Sequence, residues 1–136
     1  MEKPSSKDNP TFSSEMIDEK RYYPRMNGRY VFINAIEKMP EAVWAALDKN
    51  NMTIDDIDHL IPHQANERIS LMVAKKLGIP ESKVIRNIYK YGNTTAASIP
   101  IAFDQALKSG RIREGDAVML TAFGSGFTWA SALIKW

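Results

Sequence analysis

The stretch that decides the fold is residues 57–80, which read IDHLIPHQANERISLMVAKKLGIP. Its first part, residues 57–62, is a short apolar run that predicts a buried strand ending at His63. From residue 66 to residue 77 the apolar side chains recur at helical spacing, and Gly78 is a clear helix stop. A strand followed directly by a helix is the repeating unit of an α/β protein.

The chain continues this alternation on both sides of that stretch. Residues 28–49 carry apolar side chains three and four positions apart and predict a helix, which Pro40 should kink or divide. Residues 83–88 predict a second strand, and residues 96–108 predict a third helix. Helices and strands therefore alternate along most of the chain.

The C-terminal segment predicts a β-hairpin. Two apolar runs, residues 116–123 and 127–135, are joined by the Gly-rich connection 124–126. The predicted fold class is therefore α/β, with a mixed sheet packed with helices and a last strand that is antiparallel. Residues 1–27 are polar and predict an irregular N-terminal arm, followed by one domain over residues 28–136.

Composition excludes several classes of function. The 136 residues suffice for one domain, and 44% of them are apolar. The net charge of +2 gives no ground to expect the concentrated basic face that binds nucleic acid. The chain has no cysteine, which excludes disulfides, thiolate metal sites and a cysteine nucleophile within it. No apolar run approaches the roughly 20 residues that span a bilayer, and no secretory signal is present, so we expect a cytoplasmic protein that does not associate with membranes.

Polar or Gly-rich residues follow three successive predicted strands. His63 ends the first strand, Asn93 lies in a turn after the second, and Gly124-Ser125-Gly126 follows the third. Because sites in α/β sheets form at the carboxyl ends of strands, we expect these loops to converge.

Each of these residues also has a purely structural interpretation. A lone histidine at a strand end is more often a satisfied structural residue, asparagine after glycine is common in turns, and Gly-Ser-Gly is common in hairpins. His59 and His63 are four residues apart on a strand, which separates them by roughly 13 Å and excludes a shared zinc ion. We therefore predict no metal.

Three motifs carry a resemblance to a known family. Residues 61–69, IPHQANERI, resemble the Pro-His-Gln-Ala-Asn signature of β-ketoacyl-acyl-carrier-protein synthase III. Residues 91–100, YGNTTAASIP, resemble that family's Gly-Asn-Thr-Ser-Ala-Ala-Ser motif, and residues 122–129, AFGSGFTW, resemble its closing Gly-rich hairpin. The motifs also match in order and spacing, from about Met26 to Trp136.

The resemblance implies the C-terminal half of a thiolase-like fold and the chemistry of fatty-acid initiation. In that family two similar α/β halves enclose the active site, and a cysteine of the N-terminal half accepts an acyl group from acyl-coenzyme A. Malonyl-acyl carrier protein then loses carbon dioxide, and the enolate attacks the acyl thioester. His63 and Asn93 match the family's histidine and asparagine, which stabilise that enolate. No cofactor is implied beyond these substrates.

Further residues match the family by position. The loop Gly124-Ser125-Gly126 corresponds to the one that lends a main-chain N–H to the acyl thioester, and Phe123 to the aromatic residue beside the nucleophile.

Four residues are candidates for binding acyl carrier protein or coenzyme A. Arg68 matches an arginine linked to carrier-protein docking, although a solvated helix face is the alternative interpretation. Arg29 falls where the family contacts the coenzyme A or pantetheine arm. Gln64 and Asn66 are the other two candidates. For both, the favoured role is to support the His63 loop or the start of the helix.

The cysteine nucleophile that the family requires is not in this sequence. The resemblance implies that an N-terminal half or a partner chain supplies it, and that the full-length family is homodimeric. This chain alone is expected to be inactive in the full condensation. Two other functions remain open: a segment of another thiolase-like, polyketide-type acyltransferase, or a noncatalytic module that binds carrier protein.

Overall fold

The structure, a computed structural model, describes residues 14–21, 23 and 26–136. The chain divides into two compact units, Met1–Val31 and Phe32–Trp136. The first unit contains the short helix α1 (Ser14–Asp18) and the start of helix α2 (Gly28–Lys49). Helix α1 lies inside the predicted irregular arm and was not expected there, whereas α2 begins at the predicted residue. Of the residues of the arm, 1–13, 22, 24 and 25 lie outside the described part of the chain.

The second unit holds the remainder of α2 and a three-stranded sheet with its connecting helices. In chain order these elements are β1 (His59–Pro62), α3 (Glu67–Leu77), α4 (Ile88–Tyr91), α5 (Ser98–Lys108), β2 (Ala117–Gly124) and β3 (Thr128–Lys135). Single 3₁₀ turns lie at Ile54–Asp56, Glu81–Lys83 and Thr95–Ala97.

The sheet has the order β1-β2-β3. Strands β1 and β2 are parallel, with Pro62 opposite Thr121, and β2 and β3 are antiparallel, with Gly124 opposite Thr128. The structure thus confirms the predicted mixed sheet and the terminal antiparallel hairpin. The α/β class is confirmed with them.

Local capping explains why helix α3, which follows β1, could be predicted from the sequence. The Asn66 side chain accepts a hydrogen bond from the N–H of Arg68 at 2.9 Å and caps the start of α3. Gly78 ends the helix in the left-handed conformation, with φ of 74°, which glycine adopts without steric cost. Both signals are local, so the sequence predicted this helix correctly.

The predicted strand over residues 83–88 is wrong. Val84 makes a single parallel bridge to Leu60, and the N–H of Ile85 donates to the carbonyl of Leu60 at 2.9 Å. The ladder stops there because the N–H of Asn87 donates to the side chain of Gln64, at 3.0 Å, and not to a strand. Helix α4 follows directly.

The sequence left open whether Pro40 kinks or divides α2, and the structure shows that it does not divide the helix. The helix continues through Pro40 to Lys49, and the proline itself is buried. Proline removes one intrahelical hydrogen bond. Buried side chains on both sides, such as Met39 and Val43, hold the two segments in one helix.

Helices cover both faces of the parallel pair. Ile61 of β1 and Val118 of β2 belong to one core cluster with Ala102 and Ala106 of α5. Alternate strand residues point to the opposite face, where the Thr121 hydroxyl lies 3.5 Å from the carbonyl oxygen of Met39 in α2. A strand covered on both faces is buried along most of its length, as β2 is over Ala117–Thr121.

We expect Ile61→Ala to reduce the free energy of unfolding by about 2–5 kcal/mol, because it removes a fully buried side chain and leaves a cavity. Urea unfolding followed by circular dichroism measures the change. Ile33→Ala is the matched control, since Ile33 is 46% exposed and its truncation should cost far less. Equal losses in the two variants would contradict the assignment of Ile61 to the core.

Candidate active site

His63 is fixed at the carboxyl end of β1 through its main chain and its imidazole. Its N–H donates to the carbonyl of Thr121 at 2.8 Å, which continues the β1–β2 pairing by one residue. Its Nδ1 lies 2.6 Å from the hydroxyl oxygen of Ser98, the first residue of α5. The side chain is half-buried, and this burial lowers the pKa of His63 from its ordinary value. The neutral imidazole is therefore favoured.

Gln64 supports this loop from inside the protein. Its side-chain amide donates to the carbonyl of Pro62 at 2.6 Å, and its side-chain carbonyl accepts from the N–H of Asn87 at 3.0 Å. Only 1% of Gln64 is exposed. A carrier protein or coenzyme A cannot reach it, so its place among the binding candidates is corrected, and the alternative supporting role fits.

Asn93 lies in a tight turn that fixes the direction of its amide. The preceding Gly92 has φ of 66° and ψ of −159°, a conformation that is open to glycine and strained for other residues. The Asn93 side-chain oxygen accepts from the N–H of Thr95 at 2.9 Å. Because the oxygen is held by the main chain, the NH₂ group is the end left to act as a donor, and the residue is exposed.

Thr95 carries backbone strain at this turn. Its φ is 52°, which is rare for a β-branched residue. Such strain costs of order 1–3 kcal/mol and is concentrated at functional sites. Thr95 donates the hydrogen bond that holds Asn93, so the strained residue acts directly on a candidate catalytic group.

The hairpin tip lies at the same end of the sheet as His63. Strand β2 continues three residues beyond Thr121 to Gly124, and Ser125 is exposed at the tip. A Cβ on Gly126, whose φ is 146°, would lie 3.0 Å from the Thr128 side chain, so this position requires glycine. Phe123 packs against Phe127 with ring centroids 4.8 Å apart.

Of the three loops expected to follow the carboxyl ends of strands, two do so. His63 and the loop after Gly124 do follow the carboxyl ends of parallel strands β1 and β2. Asn93 follows helix α4 and not a strand. Its turn is connected to His63 through Ser98, five residues further along the chain.

A chain of polar side chains makes a second connection between the His63 loop and the Asn93 turn. From Gln64 it passes to the N–H of Asn87, whose side-chain amide donates to Gln105 at 3.0 Å. Gln105 then donates to the hydroxyl of Tyr91 at 2.5 Å, two residues before Asn93. Hydrogen-bonded contacts to the His63 loop thus flank Asn93 on both sides.

No pattern in the sequence indicates a role for Ser98, Asn87, Gln105 or Tyr91. Ser98 lies within the quoted motif of residues 91–100, but 35 positions separate it from His63. Pattern and spacing report neighbours along the chain. They carry no signal for a contact that only the folding of α5 against β1 creates.

The proposed binding residues occupy two different places. Arg68 is exposed in the first turn of α3, with its guanidinium 5.9 Å from the centre of the Phe32 ring. The adjacent Glu67 is paired with Arg86 at 2.9 Å. Asn66 caps α3 with its side-chain oxygen, as the sequence favoured. Arg29 is exposed at the second residue of α2, in the first unit.

Within the described part of the chain, no three imidazole, thiol or carboxylate groups lie together as a metal site requires. The second histidine, His59, instead places its Nε2 3.2 Å from the carboxylate of Asp116. None of the described helices combines the length and the apolar character of a bilayer-spanning segment.

Comparison with protein families gives one match over most of the second unit. Residues 47–136 match the family model described as 3-oxoacyl-[acyl-carrier-protein] synthase III C terminal. These residues include the loops of His63 and Asn93 and the whole terminal hairpin.

Individual relatives carry the same description. The β-ketoacyl-[acyl-carrier-protein] synthase III of Synechocystis is 50% identical over 111 residues, which are 82% of this chain and 34% of the relative. Among solved structures, the synthase III of Aquifex aeolicus matches with a TM-score of 0.83 at 44% identity, over 87% of this chain and 38% of that one. That of Thermus thermophilus gives 0.80 at 47% identity, over 82% and 35%. The chain spans about a third of the length of the relatives it matches, and their fold is the thiolase-like one that the motifs implied.

We expect the pKa of His63 in the folded chain to lie below the ordinary value of about 6.5, because burial disfavours the imidazolium. The unfolded chain then binds more protons than the folded one between the lowered pKa and about 6.5. Stability should fall as the pH decreases through that window. An NMR titration of His63 measures the pKa, and His63→Gln should weaken the acid-side loss of stability. A pKa at or above the ordinary value would contradict the burial argument.

Proposed function

The chain belongs to the 3-oxoacyl-[acyl-carrier-protein] synthase III family, and we propose that it provides the enolate-stabilising half of a decarboxylating Claisen-condensation site. The observation that carries the proposal is the pair of positioned donors. His63 is held through Nδ1 by Ser98, and Asn93 has its side-chain oxygen fixed by Thr95. Asn93 therefore keeps its NH₂ group, and His63 its Nε2, for a substrate.

The proposed reaction begins with an acyl group that acyl-coenzyme A has transferred to a cysteine outside this sequence. Malonyl-acyl carrier protein then loses its carboxylate as carbon dioxide, and the electron pair of the broken C–C bond passes into the thioester as an enolate. The enolate carbon attacks the acyl thioester, forms the new C–C bond and releases the cysteine thiolate. The product is a β-ketoacyl-acyl carrier protein, which begins fatty-acid synthesis.

His63 and Asn93 act on the charge that develops in the first step. Decarboxylation places negative charge on the thioester oxygen of the malonyl group, and both side chains present N–H donors. A positioned donor of this kind contributes roughly 3–4 kcal/mol to transition-state stabilisation. The role requires that His63 is neutral and donates without losing its proton. The burial that lowers its pKa supports this state near neutral pH.

The hairpin tip is proposed to serve the second step. The main-chain N–H of Ser125 would donate to the oxyanion that forms when the enolate attacks the acyl thioester. Glycines on both sides let a substrate approach the main chain closely, and Gly126 has no room for a side chain. Phe123, packed on Phe127, supports the base of this loop.

The full condensation requires a thiolate, and the 136 residues contain no cysteine. We propose that an N-terminal half or a partner chain supplies it, within the homodimer expected of the whole enzyme. The chain by itself is then competent for decarboxylation at most. The same motif residues would serve another thiolase-like acyltransferase, which differs in the acyl group that it accepts.

Acyl carrier protein is the proposed partner, and Arg68 its proposed contact. Arg86 neutralises Glu67 beside it. Among the described side chains, no carboxylate forms an ion pair with Arg68, so its charge is available to an acidic protein. The position is five residues beyond His63, on the helix that begins at the His63 loop.

We expect the purified chain to release carbon dioxide from malonyl-acyl carrier protein, and His63→Ala and Asn93→Ala each to reduce that rate by about 10²–10³-fold, because each removes one donor. The rate of carbon dioxide release is measured for each variant, and circular dichroism verifies that each variant is folded. His59→Ala is the matched control, since His59 pairs with Asp116 outside the site and its loss should leave the rate unchanged. No release from a folded chain would show that this half-site does not form alone.

Arg68→Glu should weaken binding of acyl carrier protein by roughly tenfold at low salt, because it replaces an attractive charge by a repulsive one at an exposed position. The effect should shrink as ionic strength rises. Isothermal titration calorimetry measures it. Lys108→Glu, on α5, makes the same change in net charge at an exposed position and serves as control. Binding without decarboxylation would favour a noncatalytic carrier-binding module.

A further inference from the structure

Ser98 stands at the point where the His63 loop meets helix α5. Its hydroxyl oxygen lies 2.6 Å from Nδ1 of His63 and accepts a hydrogen bond from the N–H of Gln64 at 3.2 Å. Only 2% of the residue is exposed. The hydroxyl therefore serves two consecutive residues of the loop and is shielded from solvent.

The single proton of the Ser98 hydroxyl decides which group donates in its contact with His63. A serine hydroxyl has one proton and can accept two hydrogen bonds. The Gln64 N–H already donates to the oxygen. If Nδ1 of His63 also donated, the hydroxyl proton would need another acceptor, and the described residues offer it none. Burial removes water as an alternative, and an unsatisfied buried donor is unfavourable.

We propose that Ser98 is a positioning residue that donates its proton to Nδ1 of His63 and thereby holds the neutral imidazole in the tautomer that carries its proton on Nε2. This arrangement satisfies all three groups at once. It leaves Nε2–H as the donor that His63 presents to a substrate. The inference deepens the proposed function and rests on it for the identity of the substrate atom.

The same contact disfavours protonation of His63. The ring can take up its second proton, on Nδ1, only if the hydroxyl stops donating to that nitrogen, so the hydrogen bond stabilises the neutral ring. The contact acts in the same direction as burial. Loss of the Ser98 hydroxyl should therefore raise the pKa of His63 toward its ordinary value and free the ring to change tautomer.

Ser98 also connects the two proposed donors. The segment from Asn93 to Ser98 is short and contains the 3₁₀ turn Thr95–Ala97, whose first residue holds the Asn93 oxygen. One end of this segment orients Asn93, and the other end orients His63. The same short segment therefore contacts both proposed donors.

The direct test is ¹⁵N NMR of the unmodified chain at a pH above the His63 pKa. An unprotonated ring nitrogen resonates far downfield of a protonated one, so the spectrum identifies the tautomer. His59 is an internal reference, because its Nε2 faces the Asp116 carboxylate and must carry the proton there. We expect His63 to show protonated Nε2 and unprotonated Nδ1. A proton on Nδ1, or an averaged mixture, would overturn the proposal.

Variants then test whether Ser98 is the cause. Ser98→Ala should shift the acid limb of carbon dioxide release to higher pH and reduce the rate at neutral pH by about tenfold, the equivalent of one hydrogen bond. Ser98→Thr keeps the hydroxyl and should restore both. Ser109→Ala removes a hydroxyl from the other end of the same helix and should change neither. If Ser98→Ala leaves the pKa and tautomer of His63 unchanged, the inference is wrong.

The two readouts separate this inference from the proposed function. An Nε2–H tautomer in a chain that releases no carbon dioxide would leave the role of Ser98 intact and count against the proposed half-site. Release that depends on His63, with the proton on Nδ1, would overturn the role of Ser98 and leave a decarboxylating half-site that works without an Nε2–H donor. The spectrum of the unmodified chain decides the tautomer even if a variant does not fold.

Discussion

The hydrogen bond between the His63 imidazole and the Ser98 hydroxyl is the contact on which the site depends. It joins the loop after β1 to the start of α5, two segments that are 35 residues apart in the chain. The parallel pairing of β1 with β2 presents His63 at the carboxyl end of the sheet, and the packing of α5 on Ile61 and Val118 brings Ser98 to it. The packing of the apolar core therefore sets the distance between the His63 imidazole and the Ser98 hydroxyl, and the hydrogen bond forms at that distance.

A second chain of polar contacts links the His63 loop to the Asn93 turn. Gln64 is buried among main-chain groups, and each end of its amide has a partner. From Asn87 the contacts continue through Gln105 to Tyr91. Buried polar networks stabilise one arrangement strongly when every group is satisfied and are costly when one is not. The part of this chain of contacts from Gln64 to Asn87 is buried and belongs to this case, whereas Tyr91 lies at the surface.

The proposed chemistry follows from what these contacts leave unoccupied. Ser98 occupies Nδ1 of His63, and Thr95 occupies the side-chain oxygen of Asn93. The groups left over, Nε2 of the ring and the NH₂ of the amide, are complementary to an anionic oxygen. Donors that are held before the reaction need not reorganise as charge develops, which is why fixed dipoles stabilise an enolate better than water does. The nucleophilic part of a condensing site requires a thiolate, which this sequence does not supply.

The sequence by itself determined the elements whose signals are local. Asn66 and Gly78 cap α3 within its own span, the Gly-rich connection forms the hairpin, and three motifs in register gave the family. Only the tertiary structure decided the rest. The strand expected over residues 83–88 fails because a side chain 23 positions away takes the N–H of Asn87, and Pro40 remains inside α2 because packing holds both parts of the helix. Ser98 acquires its role in the same way, because a contact between distant segments exists only after the chain has folded, and periodicity records neighbours along the chain alone.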